Sequence, residues 1–81
     1  MNLPVVNLEL IRNLRNDKEI SVSEMSVMLG YEGYQAYYYK ERGIRKMSAE
    51  DIAGIAKFLQ VPINTLFLEE GSYLEGDNEN I

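Results

Sequence analysis

Between Gly33 and Gly43 the chain reads GYQAYYYKERG, and this stretch concentrates the side chains best suited to chemistry. Tyrosine hydroxyls and the Gln35 amide both donate and accept hydrogen bonds. Between Tyr34 and Lys46, the cations Lys40, Arg42, Arg45 and Lys46 face only the carboxylate of Glu41. Such a set recognises a ligand and does not make or break bonds. The 81 residues include no histidine and no cysteine, so the usual general base and thiolate ligands are missing. Neither a spaced carboxylate cluster nor a glycine-rich phosphate loop replaces them, and no reaction class can be assembled. No enzyme activity, cofactor or metal is expected.

The tyrosines raise a geometric question. Consecutive helical residues point about 100° apart, so Tyr37, Tyr38 and Tyr39 cannot all face one core. Charge also divides along the chain. The formal total is −5, but residues 69–81 (EEGSYLEGDNENI) hold five acids and no base, leaving eight acids and eight bases in residues 1–68. The division predicts one domain over 1–68 and an acidic, loose tail over 69–81. A cysteine-free chain whose first apolar run carries Glu9 suits the cytoplasm, with no signal peptide and no membrane span.

Five short helices must position these residues, and no strand pattern competes. Asn7 is an N-cap candidate for a first helix carrying Leu8, Ile11 and Leu14. Ser21-Val22-Ser23-Glu24 has the capping-box form and opens a second, with Met25 and Leu29 as its apolar stripe and Gly30 as its end. The tyrosine segment is the third, ending near Arg42. Ser48 caps a fourth, whose inner face is Ile52, Ile55, Ala56 and Leu59. Pro62 suits the first turn of a fifth, and Leu66 and Phe67 close the core. Met25, Met28 and Met47 read as core gap-fillers, Glu50 and Asp51 as caps, and Tyr31 as turn packing.

This order, from Leu8 to Phe67, resembles the Cro and phage-repressor type of helix-turn-helix domain. The resemblance rests on small Ser26 with Gly30 four residues later, on Tyr37 at an inward position, on Glu41-Arg42-Gly43, and on Val61-Pro62-Ile63-Asn64-Thr65-Leu66-Phe67. It implies an all-α, compact five-helix lambda-repressor-like fold with helices 2 and 3 as the motif. It also implies a structural ion pair between Arg15 and Glu41. The alternative for Arg15 is a solvated surface arginine. Two positions depart from the pattern: Lys40 stands where an apolar residue is usual, its amine expected to snorkel out, and Val22 where glutamine is usual. A second register, with Ala36 and Tyr39 inward, would relieve Lys40 and break the Arg15–Glu41 match.

With Tyr37 buried, Tyr38 and Tyr39 are expected to be largely exposed beside Gln35, and Tyr34 half-buried. The resemblance assigns base contacts in the major groove to Tyr34, Gln35, Ala36 and Tyr39, and phosphate contacts to Tyr38, Arg42, Arg45 and Lys46. Glutamine can pair bidentately with adenine, and alanine can touch a thymine methyl. The implied function is a sequence-specific DNA-binding transcriptional regulator of phage or mobile-element type, acting on double-stranded DNA as a homodimer. Its dimer interface is expected from Leu66, Phe67, Leu68, Tyr73 and Leu74, an apolar set too large for the core alone. The alternative is a helix-turn-helix protein-interaction module, antirepressor or antitoxin-like, that uses the tyrosines as a hot spot for a protein partner.

Overall fold

A computed structural model describes residues 4–68, and every described helix boundary has a side-chain or backbone reason. Helix α1 (Leu8–Asp17) opens on Asn7, whose side-chain oxygen accepts from the Leu10 N–H at 3.1 Å. Helices α2 (Val22–Met28) and α4 (Ala49–Leu59) each begin with a complete capping box, Ser21 with Glu24 and Ser48 with Asp51. Each cap contributes roughly 1 kcal/mol. Helix α3 (Tyr34–Glu41) starts at Gly33 without a side-chain cap.

All four helices stop in the same way, with a left-handed residue that lets the chain hydrogen-bond back to the last carbonyls. Gly30 does this after α2 at φ 92°, with the Tyr31 N–H on the Ser26 carbonyl at 2.9 Å. Gly43 does it after α3 at φ 82°, with the Ile44 N–H on the Tyr39 carbonyl at 2.9 Å. After α1 and α4 the position falls to Glu19 (φ 58°) and Gln60 (φ 62°), where a side chain makes the conformation costly.

Where a fifth α-helix was expected, the chain makes a four-residue 3-10 turn, Ile63–Leu66. Pro62 enters it from an extended conformation, and Phe67 leaves extended as well, so too few residues remain for two α-helical turns. Phe67 instead forms a single antiparallel bridge with Val6. Two backbone bonds flank that bridge: Asn7 N–H to the Leu66 carbonyl at 2.7 Å and Leu68 N–H to the Val5 carbonyl at 2.8 Å. No strand forms among the described residues, so the described fold is all-helical.

The core draws on every element: Ile11 of α1, Met25 of α2, Tyr37 of α3, Ile52, Ile55, Ala56 and Leu59 of α4, and Leu66 of the 3-10 turn. Burial of each larger side chain contributes about 1.5–3 kcal/mol. Met28, read as a core residue, is instead 40% exposed, because α2 ends there and turns only its Met25 face inward. Helices α2 and α3 pack closely across the connection 29–33. Buried Ser26 sits at their contact and donates its hydroxyl to the Gly33 carbonyl, tying α2 to the residue that starts α3. Among the described residues no helix is long and apolar enough to cross a membrane. The acidic segment 69–81, with Tyr73 and Leu74, lies outside the described residues.

Candidate functional site

Helix α3 carries almost no apolar stripe, and its orientation is set by polar locks on two sides. At 100° per residue its side chains fall into i, i+4 pairs: Tyr37 with Glu41, Tyr34 with Tyr38, Gln35 with Tyr39, and Ala36 with Lys40. The first pair faces the interior. Arg15 of α1 grips the Glu41 carboxylate with two N–H groups, Nε at 2.8 Å and Nη2 at 3.0 Å, and the Tyr37 hydroxyl donates to the same carboxylate at 2.7 Å. A further Arg15 nitrogen donates to the Ile20 carbonyl at 2.8 Å. The hydrogen bond from Arg15 to Glu41 holds the guanidinium proton more tightly, raising its pKa against the opposing effect of burial. Burial, reinforced by the Glu41 carboxylate, pushes the Tyr37 phenol far above its ordinary value. The register with Ala36 and Tyr39 inward is not adopted.

The second lock lies on the Ala36–Lys40 flank. Lys40 does not snorkel into water: its amine bonds Asp51 of α4 at 2.6 Å and the Tyr31 hydroxyl at 2.6 Å, while Tyr31 also donates to Asp51. Asp51 does this while accepting the Ser48 N–H at 2.9 Å, so one carboxylate both caps α4 and pairs with α3. Burial alone would raise its pKa, but the hydrogen bonds from Lys40, Tyr31 and Ser48 outweigh it and bring the carboxyl down to about 2. The same bonds raise the Lys40 pKa. Tyr31 is therefore a hydrogen-bonding member of the lock, with the Lys40 amine 4.9 Å from its ring centre. The resemblance led to an apolar residue being expected at position 40, and the lysine there was the sequence signal of a partner. Asp51 was missed because capping already accounted for it.

The remaining two pairs form the free face of the helix. Gln35 is exposed, and Tyr34 is 50% exposed. Tyr38 and Tyr39 are half-buried, less open than expected, because they cover each other. Their ring centres are 5.8 Å apart, Tyr34 meets Tyr38 edge-on at 6.1 Å, and the guanidinium groups of Arg42 and Arg45 lie 5.6 Å from the Tyr38 ring and 5.8 Å from the Tyr39 ring. Ala36 is half-buried on the Lys40 flank.

Arg42, Arg45 and Lys46 are exposed and continue this face into the loop before α4. Among the described residues the ion pairs within 4.0 Å are Arg15–Glu41 and Lys40–Asp51, so these three cations have no carboxylate at that range. The structure thus gathers Tyr34, Gln35, Tyr38, Tyr39, Arg42 and Arg45 on one surface. Of the expected dimer residues, the three that are described, Leu66, Phe67 and Leu68, do not form one exposed patch. Leu66 is fully buried and closed to a partner, because the 3-10 turn drives it into the core; Phe67 packs partly on the core, and Leu68 is 37% exposed. Comparison with protein families and with curated proteins returns no match.

Proposed function

We propose that the chain is a sequence-specific DNA-binding regulator of phage or mobile-element type, in which α2 and α3 act as a helix-turn-helix and α3 enters the major groove. One observation carries this reading. The face of α3 turned away from the Arg15 and Asp51 locks is a row of hydrogen-bonding side chains that runs into three cations with no described counter-ion. Rigid orientation, base-edge chemistry and phosphate chemistry come together there. Gln35 and Tyr39 share the outermost line of the helix, with Tyr34 beside them, and reach base edges; Ala36 stands at the margin of that contact. Tyr38, Arg42, Arg45 and Lys46 hold phosphates.

The repressor-like reading of the fold is supported by the order of the four helices and by the Arg15–Glu41 tie, while the 3-10 turn Ile63–Leu66 departs from its fifth helix. As a homodimer the chain would read half-sites about 34 Å apart. Leu68 would take part in that contact. With DNA as its ligand the protein works in the cytoplasm.

Binding to selected DNA fragments, measured by fluorescence anisotropy over a range of salt, tests the proposal. Gln35→Ala should lose about 1–3 kcal/mol of discrimination at one base position. Arg45→Ala should weaken all sequences alike and lower the salt slope by about 0.9 per half-site. Salt-insensitive binding, with both variants behaving as wild type, would remove DNA as the ligand.

A second reading, a protein-interaction module, is favoured by one feature. Val27, 68% exposed, and Met28 line an open groove with Ile20 along α2, rimmed by Glu19 and Glu24. An apolar strip between carboxylates suits a protein surface better than a polyanion. Proteomic capture that survives high salt, beside absent DNA binding, would establish this reading instead.

A further inference from the structure

A second cleft, of about 360 Å³, opens between the N-terminal segment and the loop after α3. Its apolar wall includes Val5, Val6, Leu8 and Met47, and its rim carries Arg45 and Lys46. Lys40 also borders it, but that amine is already held by Asp51 and Tyr31. Val5 is half exposed, and the two rim cations have no carboxylate within 4.0 Å among the described residues. Among the described residues the cleft is therefore apolar on its wall and cationic at its mouth, with no carboxylate paired to that mouth.

We propose that this cleft is the docking site of the chain's own acidic C-terminal segment, residues 69–81, seated through Tyr73 and Leu74 with its carboxylates on Arg45 and Lys46. Three observations carry the assignment. The last described residue, Leu68, donates its N–H to the Val5 carbonyl at 2.8 Å, so the chain leaves the domain at the edge of the cleft itself. Length is sufficient: at roughly 3.3–3.6 Å per residue, Tyr73 and Leu74 reach at most about 22 Å from Leu68. Chemistry is complementary, since EEGSYLEGDNENI sets a Tyr-Leu pair among five acids and no base. Nucleic acid would meet the rim and leave the apolar wall bare; this segment satisfies both.

Two consequences follow. Seating Tyr73 and Leu74 here withdraws them from a dimer interface. If the proposed DNA reading holds, on which this consequence alone rests, the segment also competes with phosphate for Arg45 and Lys46 and holds down DNA affinity.

The 81-residue chain supplies its own test, because it has no cysteine to compete with a single introduced one. A nitroxide on Ser72→Cys should broaden the amide signals of Val6, Leu8, Gly43 and Met47 more than those of Val27 and Met28. Salt and the double variant Arg45→Glu/Lys46→Glu should relieve that broadening. Broadening confined to residues adjoining Leu68, or unaltered by the charge reversal, would overturn the proposal. So would broadening that arises in an isotopically labelled chain mixed with spin-labelled unlabelled chain, which would place the segment on a second copy. Replacing the five acids by their amides should raise DNA affinity several-fold. If the amide signals report docking and the chain binds no DNA, docking stands and the DNA reading fails.

Discussion

Glu41→Gln removes one charge and almost no volume, and its cost can be worked from the three donors that converge on that side chain. Glu41 is 2% exposed and accepts from Arg15 Nε, Arg15 Nη2 and the Tyr37 hydroxyl at 2.7–3.0 Å. A carboxylate is acceptor-only and satisfies all three. A glutamine offers one oxygen, and either orientation of its amide turns an NH2 toward a donor. One buried donor left unsatisfied costs about 1–3 kcal/mol, and a buried guanidinium without its counter-ion brings the loss for a broken pair to about 3–5 kcal/mol. We take about 3 kcal/mol for the isosteric change. A chain of this length has about 4–12 kcal/mol of stability in all, so this is a large share. It corresponds to a drop in Tm of about 12–24 °C and a fall in the urea midpoint of about 1–3 M. Urea and thermal unfolding followed by circular dichroism measure both. The triple variant Arg15→Met/Glu41→Leu/Tyr37→Phe replaces every charged or hydroxyl partner by an apolar side chain, and should be more stable than Glu41→Gln alone. A single-variant loss below about 1 kcal/mol, or a triple variant no better than the single, would refute the reasoning.

The other expectations concern acid stability, a helix end and the tyrosines. Asp51 titrates at about 2 in the folded chain against an ordinary 3.8, so its contribution is present above pH 3.8 and is lost as pH falls through about 2. Linkage sets that contribution at roughly 2 kcal/mol, and Asp51→Asn should flatten the acid limb of a stability–pH curve by about this amount. Gln60→Gly frees the left-handed position after α4 from a side chain and should raise Tm by about 2–4 °C, as calorimetry would show. Tyr37→Ala should lower stability by about 3–5 kcal/mol in urea melts. Tyr39→Ala, at a half-buried position, should cost about 1 kcal/mol of stability and weaken DNA binding in gel shifts.

Helix starts were legible because side chains make them: Asn7, Ser21 with Glu24, and Ser48 with Asp51 cap the helices that their patterns predicted. The inward turn of Tyr37 was legible through Arg15 and Glu41, whose pairing admits only one register. Legibility ended where one residue serves two partners. Asp51 lies eleven residues from Lys40, and nothing local to either residue marks them as neighbours. It ended too where neighbouring rings shelter each other, since a helical wheel counts directions and not the cover that Tyr38, Tyr39, Arg42 and Arg45 give one another. Both shortfalls have one physical root. Most small helices are oriented by an apolar stripe, which sequence periodicity records. Helix α3 has only Tyr37 fully buried among its apolar side chains, and is held instead by Glu41 to α1 on one side and Lys40 to α4 on the other. Dispersion contacts fall away gradually as a side chain shifts, whereas two short ion pairs on different helices fix a direction. A helix held in that way can leave Gln35 and Tyr39 on its outer line without a core contact to aim them.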